Sequence, residues 1–118
     1  MPERSVVARE LAEVFKQLAH PDRVRLVEEL GGGERSVGAL ASALDLPGPR
    51  VSQHLASLRA YRLVAERREG RRHYYSLVQP ELAAWIVQAL TFVEGRVALD
   101  PETVRAARAA WSHDRTDP

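Results

Sequence analysis

Between residues 36 and 77 the apolar pattern changes period in an order that few folds accommodate. Val37, Leu40, Ala41 and Leu44 follow at helical spacing behind Ser36, a residue suited to cap a helix N-terminus. Asp45-Leu46-Pro47-Gly48 is a turn by composition. Pro49 then opens a second short helix, with Val51, Leu55 and Leu58 inward, that runs to about residue 61. Beyond it the spacing drops towards two. Residues 63–67 and 72–77 flank Arg68-Glu69-Gly70-Arg71 and read as a hairpin with a glycine-containing tip.

Helices bracket this segment. Val7, Leu11, Val14, Phe15 and Leu18 predict one over residues 6–19, interrupted by Ala19-His20-Pro21-Asp22. A second, carrying Val24, Leu26, Val27 and Leu30, ends at Gly31-Gly32-Gly33. After the hairpin, Leu82, Trp85, Ile86, Ala89, Leu90, Val93 and Val97 form one stripe of a long helix over residues 80–97, with Val87 and Phe92 beside it. Asp100-Pro101 starts a last helix, expected over residues 102–111, and the tail 112–118 is expected to fray. At 118 residues the chain, 1–118, is read as one domain. Its longest apolar stretch, 82–93, is too short to span a bilayer, and no secretory signal opens the sequence. The absence of cysteine excludes disulfides, thiolate metal sites and thiol redox chemistry. A cytoplasmic location without membrane association is expected.

A short helix, a tight turn, another short helix and a hairpin make a winged helix-turn-helix. The expected fold is mainly α with a small β-hairpin, in the order α-α-α-α-β-β-α plus a short C-terminal helix. In such a pair the second helix enters a DNA major groove and its N-terminal residues reach base edges. Arg50 can donate two bonds to guanine, Gln53 can bond adenine through its amide, and Pro49, Ser52 and His54 complete that helix face. Arg67, Arg68, Arg71 and Arg72 lie on or beside the hairpin tip, where they can reach phosphates or the minor groove. Charge agrees. Residues 49–73 hold seven arginines against two glutamates, +5, whereas the other residues hold ten bases against fourteen acids, −4. A solvated charged face, or an interaction module that has lost DNA binding, is the competing reading.

Four segments resemble the ArsR/SmtB family of bacterial winged-helix repressors: residues 14–26 (VFKQLAHPDRVRL), 51–58 (VSQHLASL), Leu63-Val64 and 69–77 (EGRRHYYSL). The resemblance covers about residues 10–95. It implies a homodimer on double-stranded operator DNA that blocks transcription, often of its own operon. It also implies that Ser52 and His54 lie in the DNA-contacting segment and that His20-Pro21 is the family's recurrent pair between the first two helices. The family's metal ligands do not carry over. Ser36 and Gly38 stand where metal sensors place cysteines, and the long helix offers only Glu81 and Glu94. No metal and no cofactor are therefore expected.

The four histidines admit structural readings: His54 and His73 in the DNA-binding surface, and His20 packing or capping the helix junction. His113 and Asp114 could join a metal site only with ligands from a partner copy. No nucleophile elbow, phosphate loop or HExxH motif is present, so catalysis is not expected. The apolar surplus of the first and long helices points to self-association through Val7, Leu11, Val14, Leu82, Trp85, Ile86, Leu90 and Val93. Trp85 and Trp111 fit such an interface better than a pocket. An organic effector at the seam stays open as a further partner.

Overall fold

The computed structural model describes residues 2–96 and 100–116, with side chains up to residue 110. Six helices and three strands follow in the order α1 (Pro2–Leu18), α2 (Pro21–Leu30), β1 (Arg35–Ser36), α3 (Val37–Leu44), α4 (Gly48–Ala60), β2 (Val64–Glu69), β3 (Arg72–Leu77), α5 (Glu81–Glu94) and α6 (Pro101–Thr116). Leu26, Val27, Leu30, Leu40, Val51, Leu55, Leu58 and Val64 are buried where α2, α3, α4 and the sheet meet, and Leu18, Tyr75, Leu77, Ala83 and Ile86 close that core. The recognition segment is thus clamped from behind. Each such leucine removed from water contributes roughly 1.5–3 kcal/mol.

Local chemistry sets the element ends. Ser36 Oγ accepts from Ala39 N at 3.1 Å and starts α3. Asp45, at φ 55°, takes the left-handed conformation that ends it, and Leu46 N bonds back to Ala41 O at 3.0 Å. Arg62, at φ 58°, does the same after α4, where Leu63 N reaches Leu58 O at 3.0 Å and Leu63 turns towards the core. Asp100 caps α6, accepting from Thr103 N at 2.9 Å and from its hydroxyl at 2.6 Å, and these bonds hold the Asp100 carboxyl below its ordinary value.

Four expectations need adjusting. The sheet has a third strand: β1 pairs antiparallel with β3 (Arg35↔Tyr75, Ser36↔Tyr74), giving the order β1-β3-β2. Two residues carry no readable periodicity. The hairpin strands run further towards the tip than expected, so only Gly70 and Arg71 connect them, with Gly70 at φ 61° as a two-residue turn requires. Arg68 therefore lies on a strand. The first helix begins at Pro2, α5 ends at Glu94 before Gly95, and α6 continues to Thr116 rather than stopping at 111. Val97, 117–118 and the side chains of Trp111, His113 and Asp114 lie outside the described residues. Ile86, expected at a dimer seam, is a core residue of the chain itself.

Candidate nucleic-acid interface

The turn between α3 and α4 leaves one side of α4 free of packing, because Val51, Leu55 and Leu58 all face the core. Arg50, Ser52 and Gln53 stand on that free side, with Pro49 exposed beside them. Arg50 has a side chain 59% exposed, and among the described residues it pairs with Asp22, whose Oδ2 lies 3.9 Å from Nε. A cleft of about 620 Å³ runs between α4, the start of α3 and the wing, lined by Ser36, Gly38, Ser52, Arg71, Arg72 and His73 among others. Arg71 and Arg72 are exposed and form no ion pair among the described residues. Two uncompensated cations beside exposed polar groups are what a polyanion's backbone meets favourably.

Three further arginines of the basic segment, Arg59, Arg67 and Arg68, are engaged with carboxylates of the chain itself. Arg67 binds Glu34 through Nε and Nη2 (2.8–3.2 Å) and Glu69 through Nη1 (2.8 Å), and its guanidinium lies 4.6 Å from the Tyr74 ring centre. Those carboxylates push its pKa further up, and Arg67 in turn lowers that of Glu34. Arg68 Nε and Arg59 Nη1 stand 3.5 and 3.3 Å from Glu66 Oε1, and Arg68 keeps an exposed side chain. Glu66 is the hub of the wing. Its Oε2 accepts from the Tyr75 hydroxyl at 2.8 Å and lies 3.1 Å from His73 Nδ1, which together bring its carboxyl down to about 2, with Arg59 and Arg68 adding to the effect. Burial, then the bond to Glu66, pushes the Tyr75 phenol up.

Arg67 thus carries two ion pairs on the wing that its sequence position does not reveal. His54 is likewise held, half-buried, with Nδ1 accepting from Arg23 Nε at 3.0 Å and Nε2 3.4 Å from Asp22 Oδ2. His20 caps the start of α2 by position only, its side chain making no cap bond, and its ring centre is 5.9 Å from that of His54. Asp22 and Arg23 were missed. Nothing in their spacing reports a contact with a residue 31 positions away. Among the described residues no three His, Asp or Glu side chains gather in a group able to hold a metal ion.

α1 buries only Gln17 and Leu18 of its 17 residues. Val6, Val7, Leu11 and Phe15 are exposed on it, and Phe15 stacks on Trp85 of α5 with ring centres 5.5 Å apart. Phe92 is 80% exposed. Val14 and Leu82 pack at the edge of the core, and Leu90 and Val93 are half-buried. Leu11, Val14, Leu63, Leu82 and Trp85 line a groove of about 570 Å³ whose polar members are Arg62, Gln79 and Glu81. No helix among the described residues is long and apolar enough to cross a membrane.

Known proteins share this arrangement. A helix-turn-helix domain family matches residues 18–67. The HTH-type transcriptional regulator KmtR of Mycobacterium tuberculosis is 38% identical over 97 residues, covering 82% of this chain and 75% of that protein. The biofilm growth-associated repressor of Agrobacterium fabrum is 40% identical over 90 residues, 76% of each chain. A solution structure from Mycobacterium bovis, a homodimeric winged helix-turn-helix DNA-binding domain described as "a possible ArsR-family transcriptional regulator", superposes with a TM-score of 0.68 at 30% identity, covering 82% of this chain and 94% of that one. With its helix-turn-helix pair, its three-stranded wing and these relatives, the chain belongs to the ArsR/SmtB family of winged helix-turn-helix transcriptional regulators.

Proposed function

We propose that the chain is a homodimeric, sequence-specific DNA-binding repressor that acts on an inverted-repeat operator in the cytoplasm and catalyses no reaction. The observation that carries this reading is the cleft between α4 and the wing, lined by Ser52 and by Arg71 and Arg72, which form no ion pair among the described residues, with Arg50 and Gln53 exposed on the same helix as Ser52. Arg50 and Gln53 have the donor and acceptor groups that distinguish base edges, whereas Arg71 and Arg72 suit phosphates or the minor groove. An acidic protein partner would use the arginines but would leave Gln53 and Ser52 without a task.

Dimerisation is supported by α1. A helix with only two buried residues gains little from its own chain, and isolated helices of this length are marginal in water. Covering Val7, Leu11, Phe15 and Trp85 with the same face of a second copy stabilises it. The homodimeric M. bovis domain is consistent with that arrangement. In a two-fold dimer the recognition helices lie about 34 Å apart, so half-site centres fall near 10–10.5 base pairs or a multiple. The groove beside Trp85 opens on the same seam, where an organic effector would touch both α1 and α5. Selecting duplexes from a random-sequence pool tests the reading: enrichment of an inverted repeat supports it, and capture of all sequences alike overturns it.

A further inference from the structure

His54 rides on α4, yet both edges of its ring are taken up inside the molecule. Arg23 Nε donates to Nδ1 at 3.0 Å, and Asp22 Oδ2 lies 3.4 Å from Nε2. Arg23 is itself fixed, since Nη1 donates to the Gln17 carbonyl at 3.1 Å and to its side-chain oxygen at 3.0 Å. A continuous polar link therefore runs from the last turn of α1, through the first turn of α2, to the middle of α4. Asp22 also stands 3.9 Å from Arg50 Nε, one turn before His54 on the same helix.

The chemistry of this link has one solution. A guanidinium only donates, so Nδ1 is the unprotonated nitrogen and the ring proton sits on Nε2, facing Asp22. For His54 to meet DNA it would surrender a bond from a cation, with only 16% of its side chain exposed. Arg50 surrenders only a loose surface pair, which is worth little. The two residues are thus unequal in their freedom to turn outward.

We propose that Asp22, Arg23 and His54 are positioning residues for sequence readout: His54 is the peg by which the start of α2, through Arg23 and Asp22, fixes the rotation of the recognition helix. This rests on the DNA-binding reading above. Rotating α4 displaces Arg50 and Gln53 together, whereas Arg71 and Arg72 on the wing are untouched. Losing the peg therefore degrades discrimination between sequences more than it weakens binding to any DNA, because non-specific affinity is carried by charge.

The test uses His54→Asn, His54→Gln and His54→Phe. The Asn side-chain oxygen can stand where Nδ1 stands and accept from Arg23, while the Gln amide takes the place of Nε2 and the Phe ring offers neither. The readout is the affinity ratio between the duplex that the wild-type chain selects from a random pool and a base-shuffled duplex, with a thermal melt of each variant. His54→Asn is expected to keep the ratio within about threefold, and His54→Phe and Arg23→Gln each to lower it about tenfold, with their double variant no worse than either alone. Retention by His54→Gln with loss by His54→Asn would mean that the Arg23 bond to Nδ1 does not hold the helix and would overturn the proposal, as would single losses that multiply in the double variant. Should His54→Phe not fold, the Asn and Gln pair still decides. Imidazole nitrogen NMR of the free protein gives an arm independent of DNA: an Nε2–H tautomer for His54 supports the link, and an Nδ1–H tautomer overturns it even if the chain binds DNA as proposed.

Discussion

Arg67 on the first wing strand grips Glu34, in the loop after α2, through three hydrogen bonds of 2.8–3.2 Å made across 33 positions of sequence. The wing is thereby tied to the body of the domain, and an arginine that position alone would assign to DNA is used to hold the hairpin. Arg67→Ala is expected to lower the melting temperature slightly while leaving the salt dependence of DNA binding nearly unchanged. Arg71→Ala and Arg72→Ala should do the reverse, each reducing the slope of log affinity against log salt by about one unit. Titrations at several salt concentrations separate the two classes.

Base reading falls to α4. Arg50→Ala is expected to cost about 1–3 kcal/mol on the selected duplex and to relax preference at one base position, as loss of a bidentate contact does. The matching duplex with that base pair substituted should then bind wild type and variant equally. Unchanged affinity and preference in Arg50→Ala would mean that the helix is oriented differently.

The apolar faces make a paired prediction. Leu11 is exposed in the single chain, so Leu11→Asp should leave the fold intact, yield monomers in sedimentation and weaken operator binding by about tenfold or more, because two linked half-site contacts become one. Ile86 lies in the core, so Ile86→Ala should instead cost about 2–5 kcal/mol of stability. A Leu11→Asp protein that sediments as a dimer would remove α1 from the interface.

Acid should loosen the wing first. The folded carboxyl of Glu66 titrates at about 2, against an ordinary 4.5, owing chiefly to the Tyr75 hydroxyl and then His73. Folding therefore favours the ionised form. Its contribution is fully present above pH 4.5 and is lost as the pH falls through about 2. Glu66→Gln should melt below wild type at pH 7, and the gap should close between pH 4.5 and 2; a gap that widened on acidification would contradict the network.

Most of the fold was legible because its signals are local. Ser36, the Asp45-Leu46-Pro47-Gly48 turn, Gly70 and the apolar spacing of α2, α3 and α4 each act within a few residues, and each stands where it was read. The strand Arg35–Ser36 was not legible, since two residues have no period and their pairing is set by β3, some 40 positions on. The candidate site divides in the same way. Exposure of Arg50, Ser52 and Gln53 follows from helical periodicity, but which arginines are neutralised depends on Glu34 and Glu66, and the anchoring of His54 depends on Asp22 and Arg23. Such pairings across 31 or 33 positions leave no mark in composition or spacing.

Sedimentation of the wild-type chain with the duplex it selects from a random pool, combined with anisotropy against a base-shuffled duplex, tests the central claim most directly. Two chains per duplex, an inverted-repeat sequence and a preference of about 10³ or more over the shuffled control are predicted. A single chain per duplex, or equal affinity for both sequences, would contradict the account.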